Sequence, residues 1–506
     1  METSTESNYQ NALVTACKKA SVQMGAEKRF AVVSKKASDT NASAQKDVKA
    51  LLESYADFQK SLQIEIGTLL KLDNVSFLIA AGCSMKAGGV GFSSIPYVIE
   101  RRLLNVGQAN GKTAPWLSLF YSAIQTVAAV ESKRQTGGRM SLLKALASAP
   151  LDVSNRAGQL KNESVPDDPS CDFGTEECHR YLLPINFERF LAVLYGWDAT
   201  LQSGVSGVQL ADKSAVDGGA LSELIAKLKT ELVTACTLPK NGTTSSAHEI
   251  LLRKLMTRPE KLRRANLFTL NYDTLLEQAA DAAGVILLDG FVGSIRRVFR
   301  PESFGFDFYF PGSTTEGRVH RLDRVAHLYK LHGSVNWFRE PPTEQNPYGI
   351  FSAENTNPKG DALIFPTPVK QELATGIPYS EMFRRFSDSI FQSQSVLFVI
   401  GYGFGDEHVN ALIRQALLVP SFRLVVVSPS GESEFLARLT ECEDPRIWVI
   451  SGWPETSGEK GQFGFGTFEA FVENVLPDLQ DEYVRQDMSN TYRALAQQTV
   501  KNAPHE

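Results

Sequence analysis

Short apolar runs and helical periods alternate along the second half of the chain. Residues 75–81 form a β-rich apolar run that stops at Gly82, and similar runs occupy 266–270, 285–288, 325–331, 362–365, 396–400, 423–427 and 447–450. Apolar runs of this length, bounded by turn residues, predict strands buried on both faces. Helical spacing fills the gaps. Residues 274–283 end at Gly284, 381–391 carry Phe383, Phe386 and Ile390, and 407–418 carry Val409, Leu412 and Ile413. Strands alternating with helices predict an α/β fold, a doubly wound, mostly parallel Rossmann-like sheet whose ligands bind at the carboxyl ends of the strands.

The rest of the chain follows a different pattern. Residues 1–65 are polar and rich in Ala, Lys and Ser, with helical spacing at Val48, Leu51, Leu52, Tyr55 and Phe58, which predicts an N-terminal helical extension. Residues 101–259 read as a helical insertion. Within it Phe187, Phe190, Leu191 and Leu194 share a helix face, with Asn186 placed to cap and Gly196 to stop it. Leu221, Leu224, Ile225, Leu228 and Leu232 repeat the period, and polar residues 151–180 read as a long loop. The expected division is thus a main domain of 66–100 and 260–480, an insertion of 101–259, and a C-terminal helical tail of 481–506.

Composition narrows the function classes. The 506 residues are 43% hydrophobic and 22% charged, which excludes disorder of the whole chain. A net charge of −5 leaves no global positive field, so direct nucleic-acid binding is not expected. Apolar runs fall far short of the roughly 20 residues that span a bilayer, and the first residues lack a signal-peptide pattern, so a cytoplasmic protein without membrane partners is expected. Six scattered cysteines make no disulfide framework. Cys171, Cys178 and His179 supply at most three ligands where a structural zinc site closes with four, so no metal is expected.

The candidate chemistry lies just after the strands. Ala80-Ala81-Gly82-Cys83-Ser84 offers small residues where backbone amides approach a diphosphate, although a tight turn without a ligand needs the same residues. Asn271-Tyr272-Asp273 follows the next strand, and Asp273 is open to two readings, helix N-cap or ligand contact. His332-Gly333-Ser334 places a histidine where it is open to two readings, a general base for a ribose hydroxyl or water, or a purely structural side chain. Gly401-Tyr402-Gly403-Phe404-Gly405-Asp406 brings three glycines past the same point, with Asp406 equally readable as a plain N-cap. Ser428-Pro429-Ser430 sits where the adenosine half of a nucleotide would meet the sheet.

Together these strand ends resemble the sirtuin family, specifically its prokaryotic antiphage-defence branch. Residues 80–84 are similar to the G-A-G-x-S phosphate loop, Thr269-Leu270-Asn271-Tyr272-Asp273 to T-Q-N-x-D, Leu331-His332-Gly333 to the catalytic L-H-G, and 401–408 to G-Y-S-F-x-D-x-H, all in the family's order. The resemblance implies NAD as substrate. It makes Asn271 and His332 the catalytic pair, and Ala81, Gly82, Cys83, Ser84, Asp273, Gly401, Tyr402, Gly403 and Ser428 the residues that bind NAD. Two departures stand out: Ala80 replaces the first glycine, and the paired C-x-x-C zinc ribbon of the protein deacylases is missing. The long interval between Asn271 and His332 predicts a flap near 290–323. The resemblance therefore implies an NAD hydrolase in antiphage defence, with a deacylase or a non-catalytic NAD or ADP-ribose sensor as alternatives. It also implies a homo-oligomer, with a HerA-type hexameric ATPase or a phage protein as activator.

Overall fold

The computed structural model describes residues 21–24, 27–30, 41–91, 95–109, 112–133, 144, 146–148, 156, 185–204, 207–210, 214–239, 246–310, 320–357, 359, 376–430, 433–452, 455–456 and 462–480. In chain order its principal strands are β1 (Ser21–Met24), β2 (Glu27–Phe30), β3 (Asn74–Ile79), β4 (Asn266–Thr269), β5 (Ile286–Leu288), β6 (Phe291–Val292), β7 (Arg297–Phe299), β8 (Val325–Lys330), β9 (Trp337–Arg339), β10 (Ile350–Ser352), β11 (Ser395–Ile400), β12 (Arg423–Val427) and β13 (Ile447–Ser451). The principal helices are α1 (Asn41–Leu70), α2 (Ile95–Gly107), α3 (Pro115–Glu131), α4 (Phe187–Gln202), α5 (Gly218–Cys236), α6 (Ser246–Leu255), α7 (Leu275–Ala283), α8 (Tyr379–Ile390), α9 (Glu407–Ala416), α10 (Glu434–Glu441) and α11 (Phe468–Asn474).

Nine strands form the main sheet in the order β2-β1-β13-β12-β11-β3-β4-β8-β5. From β13 to β5 every neighbouring pair is parallel. The chain starts the parallel sheet at β3, builds outward through β4 and β8, then returns to the other side of β3 with β11. That reversal is the switch point of a Rossmann-like sheet, where the connections that leave two adjacent strands run in opposite directions and leave a crevice.

Period-two burial explains why the central strands hold. Val75, Phe77 and Ile79 of β3 enter one apolar cluster while Leu78 enters another. Phe77 lies opposite Phe398 on β11, their rings stacked at 4.7 Å. One face is covered by α1, α6, α7 and α11, and the other by α8, α9, α10 and a four-stranded sheet ordered β9-β10-β7-β6. Helices α2 to α5 pack around their own core, where Phe120 meets Phe190 edge to face at 5.2 Å.

Three expectations are corrected or refined. The N-terminal extension is not wholly helical: β1 pairs antiparallel with β13, and β2 with β1. Val22, fully buried at the sheet edge, supplies the apolar anchor that helical periodicity does not reveal. Part of the expected flap is packed sheet, since Phe291 and Phe299 are buried in β6 and β7. Finally α6, within the segment read as an insertion, packs on the main sheet through Ala247, Leu251, Leu252 and Leu255. The expected strand at 362–365, Cys171, Cys178, His179 and the tail 481–506 lie outside the described residues. No helix among the described residues is long and apolar enough to cross a membrane.

Candidate active site

At the switch point the backbones of two strand ends touch. Ala80 N–H donates to the Ile400 carbonyl at 3.1 Å, and Gly82 N–H to the Gly401 carbonyl at 2.9 Å. A Cβ on Gly82 would sit 2.7 Å from the Gly401 Cα, and one on Gly401 2.7 Å from the Cys83 nitrogen. Gly401 also holds φ at 66°, so glycine is required there both by space and by conformation. The substitution of Ala80 for a glycine is accommodated because that residue is extended, with φ −128° and ψ −174°.

Just beyond this contact opens a cavity of about 450 Å³. Such a volume suits a small-molecule site. Of the residues singled out from the sequence, Ala81, Gly82, Ser84, Asn271, Asp273, His332, Gly401, Tyr402 and Gly403 line it. Two do not. Cys83 is buried in the core below, its thiol donating to the Ile400 carbonyl at 3.4 Å, and burial raises its pKa well above the ordinary value, so it stays a protonated thiol. Ser428 is engaged at the next strand end, where its N–H donates to the Ile450 carbonyl at 3.1 Å.

A chain of hydrogen bonds ties the cavity floor together. Asn271 Nδ2 donates to Ser84 Oγ at 2.9 Å, and Ser84 Oγ donates to Asp273 Oδ2 at 2.7 Å. The other carboxylate oxygen, Asp273 Oδ1, accepts the Leu275 N–H at 3.1 Å at the start of α7. Asp273 therefore serves the helix start and the cavity at once. Thr269 at the end of β4 fixes the turn itself, donating from Oγ1 to the Ile79 carbonyl at 2.9 Å and accepting the Asn271 N–H at 3.0 Å. Buried Lys330 bonds the Asp273 carbonyl and, at 2.9 Å, Glu277 Oε1, so the ends of β4 and β8 are tied from beneath.

His332 follows β8 on a turn closed by Gly333, whose φ is 90°. Its Nε2 lies 3.1 Å from Asp406 Oδ2, with both side chains buried. Asp406 also caps α9, its Oδ1 accepting the N–H groups of His408 at 2.9 Å and Val409 at 3.3 Å. Sequence patterning left Asp406 open between a role at the site and a plain cap. Its second carboxylate oxygen is the part that pattern could not place, because the partner lies on another strand end.

The opposite wall comes from the helical layer. Ile95, Phe187, Leu232, Ala235, Cys236 and Leu238 line the cavity, largely with apolar groups. Tyr272 and Val335, which flank the Asn271 and His332 turns, pack into the core of that layer. Val335 N–H donates to the Tyr272 carbonyl at 2.9 Å, joining the two turns to each other as well.

A family model describing a SIR2-like domain matches residues 265–441. This segment is sirtuin-like. It contains the Asn271 and His332 turns and the 401–408 element, and the sirtuin superfamily is one whose chemistry uses NAD. Among solved structures, a triply substituted Sir2 homologue in complex with 2'-O-acetyl ADP-ribose is similar at 12% identity and a TM-score of 0.31, over 82% of this chain and 96% of that one. No curated protein matches this chain in sequence. Among the described residues no group of three or more His, Cys, Asp or Glu could hold a metal ion.

Proposed function

We propose that this protein hydrolyses NAD to nicotinamide and ADP-ribose. The observation that carries the reading is the convergence of Ser84 with Asn271, Asp273 and His332 on one cavity at the sheet's switch point, the last three within the segment that matches a SIR2-like domain. In the reaction the bond between nicotinamide and the anomeric carbon of the ribose breaks, nicotinamide leaves with the bonding electrons, and water supplies the new oxygen. Asn271 orients the ribose and the water, and His332 takes the proton that the water or a ribose hydroxyl gives up. Ala81, Gly82 and Ser84 hold the diphosphate, Gly401, Tyr402 and Gly403 flank it, and Asp273 faces the nicotinamide side.

Water is favoured over an acyl-lysine acceptor by the missing paired C-x-x-C zinc-ribbon motif and by the large helical insertion. A sensor that binds without turnover has no need of both Asn271 and His332. By the same resemblance, the biological role we propose is NAD depletion in the cytoplasm during antiphage defence. There the protein acts as a homo-oligomer, with a HerA-type ATPase or a phage protein as its activator. The deciding experiment incubates purified protein with NAD and follows nicotinamide release, with and without an acetylated peptide and with and without a chelator. Release independent of both supports hydrolysis. Strict dependence on the peptide would turn the assignment to a deacylase, and binding without release to a sensor.

A further inference from the structure

We infer that Asp406 is a positioning residue that holds His332 in the tautomer and orientation in which it takes up a proton. The inference rests on the hydrolase reading and gives a role to a residue that the resemblance matches by motif but assigns neither to catalysis nor to NAD binding. Three observations carry it. His332 Nε2 and Asp406 Oδ2 are 3.1 Å apart and both side chains are buried, so the pair is shielded from solvent screening. Asp406 cannot swing away, because its Oδ1 is occupied by the His408 and Val409 N–H groups in the first turn of α9. Its backbone is clamped too: Asp406 N–H donates to the Tyr402 hydroxyl at 3.1 Å, and that hydroxyl lies 3.0 Å from the Asp406 carbonyl.

A carboxylate fixed in this way does two things. It keeps the neutral ring protonated at Nε2, which leaves Nδ1 as the nitrogen that accepts the proton. It also stabilises the imidazolium formed when that proton arrives. Among the described residues, the other polar groups near His332 include Tyr402 from the same turn as Asp406, Tyr272 and Asp273 from the β4–α7 turn, and Lys330 two residues back on β8. Lys330 is taken up by Asp273 and Glu277. Helix α8 presents Phe383 to His332, and His408 lies edge-on against that same ring. Among the described residues, Asp406 is the carboxylate within hydrogen-bonding distance of the imidazole, at 3.1 Å.

The test compares wild type with Asp406→Asn and Asp406→Ser, both of which keep an oxygen to cap α9. Histidine-labelled protein is titrated by NMR, with His332→Gln assigning the resonance, while nicotinamide release is measured across pH. Losing the carboxylate should lower the His332 titration midpoint by about one pH unit or more. The nitrogen shifts should lose the fixed Nε2–H tautomer. The acid limb of the pH–rate profile should move down with it, and its plateau should fall about 10-fold or more. A mere helix cap predicts none of these changes in variants that still fold. Unchanged titration and an unchanged acid limb in both variants overturn the inference. If wild type releases no nicotinamide, the hydrolase reading falls, while the titration still decides whether the pair exists.

Discussion

His332 and Asn271 carry the heaviest chemical demand, and neither belongs to an apolar cluster. Asn271→Ala and His332→Ala should each lower nicotinamide release at least 100-fold with the melting temperature little changed, as expected for groups acting on the reacting ribose. Near-wild-type turnover in a folded His332→Ala protein would remove it as the base. Two other histidines, His248 and His327, bear on acid stability. His248 is buried against Phe468 at 4.7 Å between rings, its Nδ1 has no partner among the described residues, and burial pushes its pKa down to about 4. His327 is held down to about 4, first by burial and then by Arg264. In the unfolded chain a histidine binds its proton near pH 6.5. Between about pH 6.5 and 4 the unfolded state thus gains protons that the folded state refuses, and stability falls as pH falls. Thermal melting from pH 7 to 5 should show this loss, and His248→Phe should make it shallower; equal slopes would show that His248 does not titrate as described. The sequence made Asn271, His332 and the phosphate-loop residues legible because each sits at the end of a readable strand. It could not separate Cys83 from its neighbours, since which way one side chain points in a tight turn depends on the strand packed beside it.

Among the elements, the parallel strands were legible because burial on both faces leaves continuous apolar runs, and β3, β11, β12 and β13 appear within a residue or two of their expected positions. The strands β1 and β2 were not, because four-residue edge strands flanked by polar sequence carry almost no periodic signal. The glycine contact between β3 and β11 gives a sharp prediction at this scale. Gly82→Ala drives a methyl group into the Gly401 backbone, so it should both lower the melting temperature and abolish NAD cleavage. A variant with normal turnover would show that the two strand ends need not touch. Helix α4 offers the complementary experiment. Phe190 is fully enclosed in the helical layer, so Phe190→Ala should cost about 3–5 kcal/mol in chemical denaturation. Because Phe187 of the same helix lines the cavity, turnover should fall at temperatures where far-UV circular dichroism still reports a folded main sheet. Loss of both signals at one temperature would mean that the layer and the sheet do not separate.

On the scale of the whole molecule, the helical layer packs around its own core while the sheet has its own covering helices, and we propose that this layer mediates assembly and control. Light scattering and NAD turnover measured together across protein concentration, with and without a candidate activator, should show activity rising with assembled mass. A strict monomer fully active alone would end that expectation. Exposed Phe306, Phe308, Tyr309 and Phe310 next to the small sheet add an apolar rim to the same molecule. The cavity draws its two walls from different hydrophobic cores, the sheet on one side and the α2–α5 layer on the other, with Tyr272 and Val335 crossing between them. A molecule seated there acts as a rivet through two plates. Its binding energy is spent on keeping both folded together, so without ligand the plates should come apart in separate calorimetric transitions, and saturating ADP-ribose should fuse these into one at higher temperature.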